Sequence, residues 1–305
     1  MIKKVILDTD MGVDCDDCVA LGLLLNKHVN KECEVLCVTA SSARDGATAT
    51  IKAICDYYDV EVEVGAMAQP KLPCDEINTY ATAVKTKYNT PDSSVDAVKL
   101  IRKTLTASSE KVTFIAIGPL VNVRRFLESQ GDEISTKTGM ELAKEKIGAL
   151  YIMGGSFIEN YDFLGMKSEE LFPEWNILQD VESAQIVADT FPNEIYFVPW
   201  EAGFEVFSDI NDGDNPVWYG MHAYARSQGY KEEGFKRDSW DPVTCLLATQ
   251  DCSNYFEFSK PGKVTISDKG ITTYTECDGK ARITLLKKSF KDIASVINAQ
   301  IEPNR

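Results

Sequence analysis

Two periodicities alternate along the first 200 residues of the chain. Short runs rich in β-branched residues predict strands at 3–7 (KKVIL), 34–40 (EVLCVTA), 62–66 (VEVGA), 111–117 (KVTFIAI), 147–154 (IGALYIMG) and 194–199 (EIYFVP). Between them, residues 17–28, 47–58, 96–105, 119–129 and 181–190 carry helical patterns. Strands alternating with helices argue for an α/β, Rossmann-like architecture: a mainly parallel central sheet with helices on both faces. From Ser259 the pattern changes to short strands with turn signals (GKVTIS, GITTYTE, ARITLL) and a closing helix, KDIASVINAQI, which together predict a small antiparallel C-terminal appendage. No Pro-, Gly- or Ser-rich linker separates it, so residues 1–305 read as a single domain.

The first predicted strand runs into a burst of acid: Asp8, Asp10, Asp14, Asp16 and Asp17 fall within ten residues. In such sheets ligands gather beyond the carboxyl ends of the strands, which is where this cluster lies. Five carboxylates this close cannot all ionise unless a cation or many donors offset the repulsion. A hard divalent ion does so economically, and Ca2+, which accepts six to eight oxygens including carbonyls, suits the donor set better than Mg2+. A helix-capping role at Cys18 explains one or two of these aspartates but not five. An EF-hand loop fails, because Gly12 is misplaced and the closing glutamate is absent.

Composition narrows the chemistry. A formal net charge of −15 and the lack of a basic run with interleaved aromatics argue against nucleic acid as a partner. No stretch approaches the roughly 20 apolar residues of a membrane span, and MIKKVILDTD has no cleavage-site pattern, so a cytoplasmic protein is expected. Nine scattered cysteines, mostly in apolar surroundings, read as reduced thiols. Only His28 and His222 exist, which leaves carboxylates or a metal to carry the chemistry.

ILDTDMGVDCDDCVAL resembles the amino-terminal signature of the nucleoside hydrolase family of the inosine-uridine preferring type. FIAIGPLVNV (114–123), LYIMGG (150–155), PEWNI (173–177) and SWDPV (239–243) are similar to later blocks of that family, in order. The resemblance implies that Asp10 touches a calcium ion and acts as base toward water, that Asp17 and Asp241 are ligands, and that Ile117 adds its backbone carbonyl. It places Asp16, Asn176, Glu174, Asn160 and Met153 around a ribose. The implied reaction is attack of water on the anomeric carbon of a nucleoside, through an oxocarbenium-like transition state. Small ribosyl substrates and a homo-oligomeric assembly are the partners it implies.

Several positions depart from the family. Val13-Asp14-Cys15 is longer than the commoner single residue, which makes Asp14 a further candidate ligand. Ser41 and Ser42 stand where the family often has a sugar-binding asparagine, and Arg44 has no counterpart there. Trp240 replaces a histidine that protonates the leaving base; its ring can stack on a purine, which favours purine nucleosides. Tyr80, Phe163 and Trp175 are further aromatic candidates, and Glu201 is a candidate where an aspartate is commoner. Two rival readings remain: a calcium- and ribose-binding module that has lost catalysis, and a haloacid-dehalogenase-like phosphatase with Asp8 as nucleophile.

Overall fold

The structure is a computed structural model that describes residues 2–67, 71–157, 162–163, 166–167, 172–210, 213–286 and 290–301. Its centre is an 11-stranded sheet. The chain enters at β1 (Lys3–Thr9) and moves outward through β2 (Cys33–Ala40), β3 (Glu63–Ala66) and the short β4 (Val95–Asp96), all parallel. It then returns to the other flank of β1 with β5 (Val112–Ala116), β6 (Ile147–Met153) and the strand Glu194–Val198, again all parallel. That reversal beside β1 opens a crevice at the carboxyl ends of β1 and β5. The predicted strands match these within a residue or two.

Period-two alternation divides the core into two layers. Val5 and Leu7 of β1 pack in one cluster, and Ile6 packs in the other. Both faces are therefore covered, which is why these strands read as near-continuous apolar runs. Helix α1 (Asp16–Val29) is buried from Asp16 through Lys27, and Leu21, Leu23, Leu24 and Leu25 are fully enclosed. Each such side chain contributes about 1.5–3 kcal/mol by burial. A helix apolar on all sides belongs inside; here it lies between the sheet and the helix Trp240–Thr249.

The C-terminal expectation holds, with one addition. Gly262–Ile266 and Thr272–Glu276 form the expected antiparallel pair, and Phe256–Phe258 also runs antiparallel to Ala281–Leu286. Ala281–Leu286, however, pairs in parallel with Glu194–Val198, with Ala281 opposite Ile195. The appendage thus extends the main sheet, because its last strand finds an unpaired edge there. Among the described residues, no helix is long and apolar enough to cross a membrane.

Candidate active site

Local sequence delivers the acids to one place. After Thr9 the chain turns through Gly12, whose φ of +113° is open to glycine alone and where a Cβ would meet Arg44 Cδ at 2.7 Å. Helix α1 then starts at Asp16, with Cys15 as N-cap, so Asp16 and Asp17 occupy its first turn rather than capping a helix from Cys18. Asp241 likewise lies in the first turn of Trp240–Thr249, behind an N-cap at Ser239, and is not itself the cap. The two helix N-termini sit side by side, and the Asp241 amide donates to Asp16 Oδ2 at 3.1 Å. Their dipoles favour the carboxylates without neutralising them.

Asp16, Asp17 and Asp241 each offer an oxygen, and the three oxygens lie within 4.8 Å of one another. Burial pushes all three carboxyls well above the usual range; Asp14 adds to the effect at Asp16, Asp10 and Asp16 at Asp17, and Asp16 and Asp17 at Asp241. Asp10 is also buried, and its carboxyl rises to about 6 through desolvation against the opposing pull of Arg44. Three buried carboxylates in a cavity that Ile117 also lines make a hard-oxygen donor set that fits a divalent cation. By carboxylate proximity the trio contains Asp16, which sequence assigned to the sugar, and not Asp10.

All four acids line a cavity of about 450 Å³, together with Ile117, Met153, Glu174, Asn176, Trp175 and Trp240. Asn176 Nδ2 donates to the carbonyls of Ile117 at 3.3 Å and Met153 at 3.2 Å, tying the ends of β5 and β6 together. Glu174 caps the helix Trp175–Gln179: its carboxylate accepts from the amides of Asn176 (2.9 Å), Ile177 (3.2 Å) and Gly155 (3.2 Å). Burial outweighs these bonds and raises Glu174 to about 7.

Other expectations shift. Asp14 lines the cavity but is not in the trio; Arg237 grips it, with Nε donating to Oδ1 at 2.8 Å and Nη2 to Oδ2. Both oxygens of Asp14 are thus engaged by a guanidinium fork. Ser41 and Ser42 are buried and do not line the cavity, and Ser42 accepts from Arg44 instead. Arg44 is a buried clamp that donates to the carbonyls of Asp10, Met11, Cys74 and Ile77. Glu201 is set back from the cavity and accepts from Ser156 Oγ (2.7 Å) and the Phe157 amide (2.9 Å). The Trp240 indole N–H is spent on the Trp200 carbonyl at 2.9 Å, which leaves only its ring for a ligand. Tyr80 is buried behind the acidic loop, accepting from the Gly12 amide. Asn160 and the Phe163 side chain lie outside the described residues.

The phosphatase reading fails on Asp8. It is fully buried, does not line the cavity, and accepts from Thr39 Oγ1 and, at 2.8 Å, from Asn122 Nδ2. A nucleophile needs access that this position lacks.

Sequence reasoning missed Arg237, Trp200 and Gln228, which also line the cavity, as does Tyr224 from the aromatic stretch 217–228. Tyr224 and Gln228 are four residues apart at the end of the helix Pro216–Ser227, a spacing that places both on one face. Arg237, four residues before Asp241 in a strongly acidic chain, was the legible signal.

Comparison with known proteins gives the family and the fold. The pyrimidine-specific ribonucleoside hydrolase RihA of Salmonella schwarzengrund (strain CVM19633) is 29% identical over 200 residues, covering 61% of this chain; the match spans 57% of that relative's length. Two solved structures share the fold: an inosine-uridine preferring nucleoside hydrolase from Bacillus anthracis (TM-score 0.66, 20% identity, 98% of this chain and 99% of that one) and a purine-preferring ribonucleoside hydrolase from Gardnerella vaginalis (TM-score 0.68, 14% identity, 98% of each). The model of the family described as inosine-uridine preferring nucleoside hydrolase matches residues 5–296, and the chain belongs to that family.

Proposed function

We propose that this protein hydrolyses the N-glycosidic bond of a ribonucleoside, releasing base and ribose, with calcium at the carboxylate trio. The observation that carries the reading is the convergence of Asp16, Asp17 and Asp241 within 4.8 Å in a cavity also lined by Asp10, Glu174 and Asn176. The trio and the Ile117 carbonyl would hold the ion, and such mixed carboxylate and carbonyl donors would favour calcium over magnesium. A divalent cation there supplies charge that offsets the carboxylates and makes a neighbouring water more acidic.

The chain's own residues do the rest. Asp10, ionised above about pH 6, accepts the proton of the attacking water. Asn176 and Glu174, tied to the ends of β5 and β6, orient the sugar so that its anomeric carbon faces that water. The surrounding carboxylates stabilise the positive charge that develops on the ring. Trp240 and Trp175 offer indole faces to the base, which favours a purine; RihA, named as pyrimidine-specific, makes this the sharpest point to test.

The test is to incubate the protein with inosine, uridine and a phosphomonoester, with and without chelator, and assay reducing sugar and phosphate. Sugar release, faster from inosine, lost on chelation and restored by calcium better than by magnesium, is expected. Binding of calcium and ribose without turnover of any nucleoside would replace this reading with that of a binding module.

A further inference from the structure

When an N-glycosidic bond breaks, its electron pair stays on the base nitrogen, so the departing base needs a proton or a positive charge. Among the described residues, no histidine lines this cavity. Both histidines are elsewhere: His28 Nδ1 accepts from the Val35 amide at 3.1 Å, and His222 stacks on Trp218 with ring centroids 3.9 Å apart. The thiols nearest the acidic loop, Cys15 and Cys18, are fully buried. Among the described residues that line the cavity, Arg237 is the one cation.

Its setting is built. Asp14 holds the Nε and Nη2 edge of the guanidinium, and the group's carbon sits 5.0 Å from the Trp240 ring centroid and 5.4 Å from that of Tyr224. These contacts fix the plane of the fork. Asp14 occupies one edge, while Nη1 has a 3.5 Å approach to Asp238. Nη1 gives one hydrogen to Asp238, so one on Nη1 and one on Nη2 remain for a ligand.

Building on the function proposed above, we infer that Arg237, braced by Asp14, is the catalytic residue that takes up the charge of the departing base, and that it selects bases with a carbonyl on that edge. In the step, the C1′–N bond breaks with its electrons going to the base. Water adds hydroxide to C1′ and its proton goes to Asp10, while the base anion leaves hydrogen-bonded to Arg237 and later takes a proton from solvent. The guanidinium gives up no proton. A donor-only fork matches paired acceptors such as the O6 and N7 of a 6-oxopurine, and it mismatches the amino group of adenine.

The experiment compares wild type with Arg237→Gln, Arg237→Lys and Asp14→Asn on inosine, adenosine and 4-nitrophenyl β-D-ribofuranoside, whose leaving group needs no help. Arg237→Gln should lose about 100-fold or more in kcat/KM on inosine, the scale of one lost oxyanion donor, and keep most activity on the nitrophenyl riboside. Its preference for inosine over adenosine should collapse. Arg237→Lys, which keeps the charge without the fork, should recover part of the inosine rate but not the preference, and Asp14→Asn should show the same pattern more weakly. Equal losses on inosine and the nitrophenyl riboside would overturn the inference and leave Arg237 a structural role. A wild type inactive on all three substrates would instead overturn the proposed function itself.

Discussion

Two buried charged groups in this protein are handled in opposite ways. Arg102, 1% exposed, spends every nitrogen of its guanidinium: Nε and Nη2 donate to Asp132 at 2.9 Å, Nη1 to Ser129 Oγ, and Nη2 also to the carbonyls of Ser135 and Lys137. Asp132 is correspondingly held down, to about 2, by Arg102 and by backbone amides. Asp16, Asp17 and Asp241 are as deeply buried, yet burial and neighbouring carboxylates raise the affinity of all three for protons. A charge whose partners are complete belongs to the architecture. Charges that repel one another and still stay buried are waiting for a ligand.

Breaking each region should therefore give opposite signatures. The largest effect is expected from Asp10→Asn, which should lower kcat by about 10²–10⁴-fold, the usual worth of a general base. Its melting temperature without metal should not fall, because one crowded charge is gone. Arg102→Met should do the reverse. It removes the donor shared by Asp132, Ser129 and the carbonyls of Ser135 and Lys137, and should lower the denaturant midpoint, with kcat/KM of the folded fraction unchanged.

A pH series sharpens the contrast. Asp8 and Glu174, raised to about 7, and Asp10, raised to about 6, bind protons more tightly folded than unfolded. Their contribution is present below the ordinary carboxylate value near 4 and is lost as pH rises through 6 to 7. Melting temperatures of the chelated protein should decline across that window, and excess calcium should flatten the decline. Asp132 works the other way: its contribution is present above the ordinary value and is lost as pH falls toward about 2. The smallest effect is expected at Trp240→Leu, which should weaken kcat/KM for inosine relative to uridine by about 3–10-fold, the scale of one aromatic contact. An equal change for both substrates would remove the indole from base recognition.

Much of this arrangement could be read from residue order. The strands and the acid burst were visible because burial on both faces enforces apolar runs, and a polar interruption at a strand end stands out against them. Asp241 was visible only through the resemblance, since Asp-Pro alone looks like an ordinary helix start. The partners of Arg44 and Arg237 stayed opaque for a shared reason: a long cationic side chain reaches well away from its backbone, so its partners are chosen by neighbours distant in sequence. Asp14 and Arg237 are 223 residues apart, and Arg44 grips carbonyls up to 34 residues away. Ser41 and Ser42 lie buried outside the cavity lining, where Arg44 engages Ser42.

The chain's local pattern by itself determined the parallel sheet, the helices that cover it and the loop that carries most of the acid, because periodicity and turn chemistry act over a few residues. Which of those acids converge was decided by the packing of α1 against the helix Trp240–Thr249, which sets two distant first turns together. The same packing leaves Asp14 to an arginine rather than to the trio. Electrostatic repulsion depends on distance in space, and only the folded core fixes those distances.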